Sequence, residues 1–240
     1  MQVPALASRL LLISSSNVHG YGFLDQPEPE ILSFLGTRKR ILFVPYAMAD
    51  LDGYGLAMLA RLTKMGLEMT SIHRAQYRVG ALDDADALFV GGGNTFRLLK
   101  RLRDLELIAP IRDRVNRGVL SYIGSSAGSN VAGPTIRTTN DMPIVECPSF
   151  DALGLVPFQI NPHYLDADPY STHQGETRED RLLQYLEENA TPVVGLREGS
   201  LLRVENGTTT LLGLRPARIF RRGQAPMDVP VGSVIDLASS

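Results

Sequence analysis

The sequence predicts an α/β fold: a three-layer sandwich with a mainly parallel central sheet and a small C-terminal antiparallel hairpin. Three observations carry this. Short apolar segments alternate with segments of helical spacing, the pattern of βα units. Most of the apolar segments are apolar throughout rather than at every second residue, which marks strands covered on both faces. Near the end of the chain, Asn206-Gly207 separates two runs of strand-forming residues, and Asn-Gly suits a type I′ turn.

Taken in order, the expected strands are Leu10–Ser14, Arg40–Pro45, Leu67–Ile72, Ala87–Val90, Val119–Ile123, Pro157–Ile160 and Val193–Leu196. Helices are expected near Leu51–Met65, Thr95–Arg103, Ile111–Arg117 and Thr177–Asn189; in the last, Leu182, Leu183 and Leu186 form an apolar stripe among charges. The run Gln26-Pro27-Glu28-Pro29-Glu30 leads into a further helix near Ile31–Leu35, because proline and acidic residues suit a helix start. Ser200–Glu205 and Thr208–Leu212 make the hairpin, and Ala217–Arg221 follows as a short strand. Nothing reads as a repeat or linker, so residues 1–240 are expected to form a single α/β domain.

The composition narrows function by exclusion. The 240 residues carry a formal charge of -2, so no nucleic acid is expected as partner, since non-specific binding needs a basic face. No apolar run approaches the roughly 20 residues that span a bilayer, so no membrane is expected either. Arg9 stands directly before the first apolar run, whereas a signal peptide puts its charge first and a longer apolar core after it; the expected location is cytoplasmic. The single cysteine, Cys147, has no internal disulfide partner and reads as a packed side chain.

The chemistry concentrates in one segment. The strand Val119–Ile123 runs into Gly124-Ser125-Ser126-Ala127-Gly128, the Gly-x-Ser-x-Gly pattern of a nucleophile elbow. A sharp strand-to-helix turn needs small neighbours, which Gly124, Ala127 and Gly128 supply. Such a turn lifts the Ser126 hydroxyl above the sheet and aims the Ala127 N–H toward a developing oxyanion. The pattern alone is weak, because glycine and serine are common in loops; the preceding strand strengthens it. Ser125 and Ser129 are rival hydroxyls, one at the variable position and one a turn into the helix.

A serine needs a base. Of the four histidines, His163 follows an apolar strand in Ile160-Asn161-Pro162-His163, where strand ends line a crevice. His73 also follows a strand but has no identifiable helper, and His19 and His173 read as solvated loop residues. For the carboxylate that orients the base, Glu198 and Asp141 both qualify, and spacing leaves the choice open. Val90-Gly91-Gly92-Gly93-Asn94-Thr95 ends a strand in three glycines and opens a helix, exposing backbone N–H groups that could bind an anion or complete an oxyanion hole. It matches neither dinucleotide nor P-loop spacing.

Together with Pro134–Val145, Gln159–His163 and Gly175–Glu179, these segments resemble the peptidase E family, the α-aspartyl dipeptidases, over about residues 10 to 220. The resemblance implies a fold related to class I glutamine amidotransferases. It implies Ser126 as nucleophile, His163 as base and Glu198 as triad acid, with Asp141 a rival. It places the oxyanion hole at Gly93 and Ala127, and Arg178, with help from Asn94 and Thr177, on the substrate. It implies no cofactor, no metal, and a small peptide with an N-terminal aspartate as partner; monomer or homodimer stays open. Ser125 is smaller than its counterpart in some relatives, which would widen the pocket mouth. The alternatives are a cyanophycinase-like peptidase or an esterase on the same fold, or a non-catalytic binding protein.

Overall fold

The computed structural model describes residues 8–170, 172 and 174–237. In chain order the first half contains β1 (Arg9–Ile13), α1 (Glu28–Leu35), β2 (Arg40–Val44), α2 (Leu51–Lys64), β3 (Glu68–Ser71), α3 (Arg78–Ala81), β4 (Ala87–Val90), α4 (Thr95–Asp104) and α5 (Ile108–Asn116). The second half contains β5 (Ser121–Ser125), α6 (Ala127–Asn130), β6 (Gln159–Tyr164), α7 (Arg178–Glu188), β7 (Val193–Arg197), β8 (Ser200–Glu205), β9 (Thr208–Gly213), β10 (Ala217–Phe220), β11 (Met227–Val229) and β12 (Val234–Ile235). Among the described residues no helix is long and apolar enough to cross a membrane.

The central sheet runs β12-β9-β8-β1-β5-β4-β2-β3. The strands from β1 to β3 in that order are mutually parallel, and β8, β9 and β12 join antiparallel. Alternation along each strand sends side chains to opposite faces. Leu11 and Ile13 of β1 pack with Ile31 and Phe34 of α1 and Met58 and Leu62 of α2. Leu10 and Leu12 face the other way, toward Leu98 and Leu102 of α4 and Ile111 of α5. Strands covered on both faces explain the unbroken apolar runs.

Two expectations change. β6, β7 and β10 do not extend the central sheet; they form a second one, ordered β11-β10-β7-β6. Ile160, Val194, Leu196 and Ile219 of this sheet enter the same core as Leu10 and Leu12. Its outer face carries Val193, Tyr164 and Phe220 against Leu182 and Leu186 of α7. Burial on both faces gives these strands the same apolar signature, so sequence could not tell which sheet they join. The β8–β9 hairpin, in turn, is part of the central sheet, since β8 pairs along β1. Asn206 and Gly207 both have positive φ, 52° and 76°, as a type I′ turn requires.

β6 also continues past its expected end at Ile160, so that His163 lies inside it. Pro162, inside the observed strand, lacks an N–H for the ladder. β6 is an edge strand, and an edge tolerates that missing donor.

The second sheet is clasped at the far end of β7. Arg197, 7% exposed, donates to both oxygens of Asp166 at 2.7 and 2.6 Å, to Asp228 at 3.0 Å and to the Pro216 carbonyl at 2.8 Å. The hydrogen bonds from Arg197 outweigh burial and hold the Asp166 carboxyl below its ordinary range. A depressed folded pKa contributes stability above the unfolded value, about 3.9, and loses it as pH falls. Asp166→Asn should therefore destabilise the protein at pH 7 by up to about 1 kcal/mol, the low end because Asp166 is half exposed. The gap from wild type, measured by urea unfolding, should shrink below about pH 4; a gap that grows in acid contradicts this.

Candidate active site

The elbow forms where β5 turns into α6. Ser126 has φ 54° and ψ -114°, a conformation that side chains rarely adopt. The crowding shows in its neighbours: a Cβ on Gly124 would lie 2.5 Å from the Gly128 carbonyl oxygen, and one on Gly128 would overlap the Val90 carbonyl. The turn is tied to the end of β1, because the Ser126 N–H donates to the Ile13 carbonyl at 3.0 Å. The Ser129 hydroxyl reaches the Ile13 and Gly124 carbonyls at 2.7 and 2.9 Å.

Ser126 meets an imidazole from the second sheet, and a carboxylate just past the end of β7 lies behind it. His163 Nε2 lies 2.8 Å from Ser126 Oγ, and His163 Nδ1 lies 2.8 Å from Glu198 Oε1. With a carboxylate accepting at Nδ1, that nitrogen carries the proton, and Nε2 is left to accept from the serine. His163 is a second strained residue, with φ 53°. Among the described residues five non-glycine residues have positive φ, and two of them are Ser126 and His163. Strain at that level costs about 1–3 kcal/mol per residue and clusters at functional sites.

The glycine loop lies directly against Ser126, since a Cβ on Gly92 would stand 3.0 Å from Ser126 Cβ. Its amides are unequal. Gly91 N–H donates to the Val44 carbonyl, Gly92 N–H to the Tyr54 hydroxyl and Asn94 N–H to the Ala47 carbonyl. Gly93 N–H and Ala127 N–H have no acceptor among the described residues. Burial pushes the Tyr54 phenol up to about 12, so it stays protonated while accepting from Gly92. Gly93 has φ 130°, and a side chain there would meet the Ala47 backbone and Met48 Sδ.

Residues 10–212 match peptidase family S51. Peptidase E of Streptomyces coelicolor is 54% identical over 224 residues, which is 93% of this chain and 92% of that protein. A Drosophila melanogaster protein named probable alpha-aspartyl dipeptidase is 47% identical over 219 residues, 90% of this chain and 91% of its own. The chain belongs to peptidase family S51. The crystal structure of a peptidase from an acI-B1 Actinobacterium has a similar fold, with a TM-score of 0.68 over 97% of this chain and 98% of that one at 17% identity.

The remaining candidates fall into place in this S51 chain. Asp141 does not meet His163. Its Oδ2 instead accepts from the Thr95 N–H and hydroxyl at 2.7 and 2.6 Å and from Thr139 at 3.3 Å, which caps α4 behind the glycine loop. Asn94 and Thr177 serve as helix caps: Asn94 accepts from the Arg97 N–H and donates to the Met142 carbonyl, and Thr177 forms a capping box with Asp180. Ser125, the last residue of β5, is fully buried. Cys147 donates to the Phe96 carbonyl, and burial raises its pKa, keeping it a thiol. His19 is exposed, and His173 lies outside the described residues.

Arg178 opens α7, half-buried and without a hydrogen bond or ion pair among the described residues. Burial first, and the Arg181 charge second, lower its pKa, while Asp141 pulls it back up. Asp141 borders the glycine loop through Thr95, and its neighbour Asn140 donates to the Pro162 carbonyl beside His163 at 2.6 Å. These links put the guanidinium on the side of the molecule that holds the glycine loop and His163.

Sequence reading missed the partners of His73, whose ring bridges Ser71 Oγ at 2.7 Å and Asp52 Oδ1 at 2.8 Å. They line a cavity of about 780 Å³ at the β3 edge, which none of Ser126, His163 and Glu198 borders. Ser71 ends β3 with ordinary extended backbone, φ -112° and ψ 127°, and its hydroxyl also lies toward the Phe43 carbonyl, so it lacks the strained elbow that presents Ser126. Among the described residues no group of three or more His, Cys, Asp or Glu could hold a metal ion.

The elbow packing makes a direct prediction. Gly128→Ala forces a methyl into the Val90 carbonyl, and should cost about 1–3 kcal/mol in urea unfolding together with most of the activity. An active, undiminished variant contradicts the close approach.

Proposed function

We propose that this S51 peptidase is a serine dipeptidase that hydrolyses the bond after an N-terminal aspartate in Asp-X dipeptides and very short peptides. The observation that carries the proposal is the hydrogen-bonded chain from Ser126 through His163 to Glu198 at a strained elbow. The similarity to proteins named peptidase E and probable alpha-aspartyl dipeptidase supports the substrate.

In this reading Ser126 Oγ attacks the aspartyl carbonyl carbon while its proton passes to His163 Nε2. The carbonyl oxygen becomes an oxyanion and takes the Gly93 and Ala127 N–H groups, which have no acceptor among the described residues. Glu198 holds the imidazolium from the other side. The tetrahedral intermediate collapses, the C–N bond breaks, and His163 gives its proton to the leaving amine. Water then attacks the acyl-enzyme, His163 takes a proton from it, and Ser126 leaves with that proton as aspartate is released. Arg178 offers a planar pair of donors to the aspartate side chain. A half-buried cation with no hydrogen-bond or ion-pair partner among the described residues gains most from a carboxylate that arrives with the substrate.

Two substitutions test the roles. Glu198→Gln should lower kcat on the order of 10³-fold or more, the scale of losing a triad acid, while Asp141→Asn acts mainly through the glycine loop and costs less. A larger fall for Asp141→Asn in folded protein exchanges their roles. Arg178→Ala should reduce the preference for Asp-Leu over Ala-Leu by roughly 10- to 100-fold, the worth of a charged hydrogen-bonding pair. Equal losses on both substrates would remove Arg178 from specificity.

A further inference from the structure

We propose that Ser14 is a positioning residue, whose hydroxyl fixes the strained base His163 against the strand leading to Glu198. The inference rests on the assignment of His163 as general base. β6 and β7 pair in parallel as far as Pro162 opposite Leu196, and the ladder resumes with Tyr164 opposite Arg197. His163 is the extra residue of a bulge, with φ 53°. A bulge is useful here because it aims the imidazole out of the sheet toward Ser126. It also takes the residue's own N–H off the ladder, and an inward amide without an acceptor is costly.

Ser14 supplies that acceptor. The His163 N–H donates to Ser14 Oγ at 3.0 Å, and Ser14 Oγ donates to the Leu196 carbonyl at 2.7 Å. A hydroxyl has one proton to give and lone pairs to receive, so both bonds hold at once. The Ser14 side chain is fully buried, so it has no direct contact with substrate. It bridges the base to β7 two residues before Glu198.

The same stretch of chain holds the nucleophile. Ile13, one residue earlier, accepts from the Ser126 N–H and the Ser129 hydroxyl. The Ser14 N–H donates to the Ser200 carbonyl at 3.1 Å, just beyond the Glu198-Gly199 turn. Ile13 and Ser14 thus gauge the distance between elbow, base and acid. Removing the Ser14 hydroxyl frees the bulge, and the imidazole drifts from Ser126 while the substrate pocket stays as it was. The loss falls on kcat, not on KM.

The test is steady-state hydrolysis of Asp-Leu by wild type, Ser14→Ala and Ser14→Thr, with Ser126→Ala as the control for the underlying assignment. Ser14→Ala should lose about 10- to 100-fold in kcat, the scale of an ångström-level misplacement, with KM within about 2-fold. Ser14→Thr, which keeps the hydroxyl, should recover most of that loss. A folded Ser14→Ala enzyme with wild-type kcat, or with its loss in KM alone, overturns the inference. So does a folded threonine variant no better than alanine. If Ser14→Ala does not fold, hydrogen exchange on wild type decides: the His163 amide should be strongly protected, and exchange at the rate of an unstructured amide overturns the inference. Activity surviving in Ser126→Ala would instead defeat the assignment on which the inference rests.

Discussion

The structure turns on one hydrogen bond, the 2.8 Å contact between Ser126 Oγ and His163 Nε2, because its two ends belong to different sheets. Ser126 follows a strand of the central sheet, and His163 lies in the second. A serine hydroxyl is a poor nucleophile at its own pKa and depends on a base at hydrogen-bonding distance. The relative placement of two sheets must therefore be held to a fraction of an ångström. The shared core of Leu10, Leu12, Ile160, Val194 and Leu196 fixes them broadly. Hydrogen bonds from the end of β1 fix them finely.

That demand explains where the backbone strain sits. Ser126 and His163 both occupy positive φ, each held by a neighbouring group from β1 or the residue after it. Tight contact without side chains, at Gly124 and Gly128, brings the elbow against β4 and its own helix. The glycine loop is disciplined in the same way, with three amides spent on Val44, Ala47 and Tyr54 and one left open. That suits the oxyanion donor proposed at Gly93, since such a donor works when its N–H is unpaired and held in a fixed direction. The cost of each strained or unpaired group is met by the surrounding core.

The alternation of apolar and amphipathic segments made the α/β class legible, and the elbow made Ser126 stand out. The split into two sheets was not legible, because Val193–Arg197 is apolar for the same reason as β1: both of its faces are covered. Asp141 and Glu198 were indistinguishable by spacing; the structure separates them, since one caps α4 and the other meets the imidazole. Asn94 and Thr177 carry cap signals, an Asn before a helical run and a Thr three residues before an Asp, whereas the family resemblance assigns them to the substrate. Ser14 left no sequence signal at all. Its partners His163 and Leu196 are 149 and 182 residues away, and only folding brings them together.

The measurement that bears most directly on the account is hydrolysis of Asp-Leu beside Glu-Leu, Ala-Leu and N-acetyl-Asp-Leu, by wild type and by Ser126→Ala. The account predicts cleavage of Asp-Leu alone, requiring both the short carboxylate and the free amino group, and its loss in the serine variant. Equal cleavage of Ala-Leu, turnover surviving in Ser126→Ala, or no cleavage of any dipeptide by folded wild-type protein would contradict it.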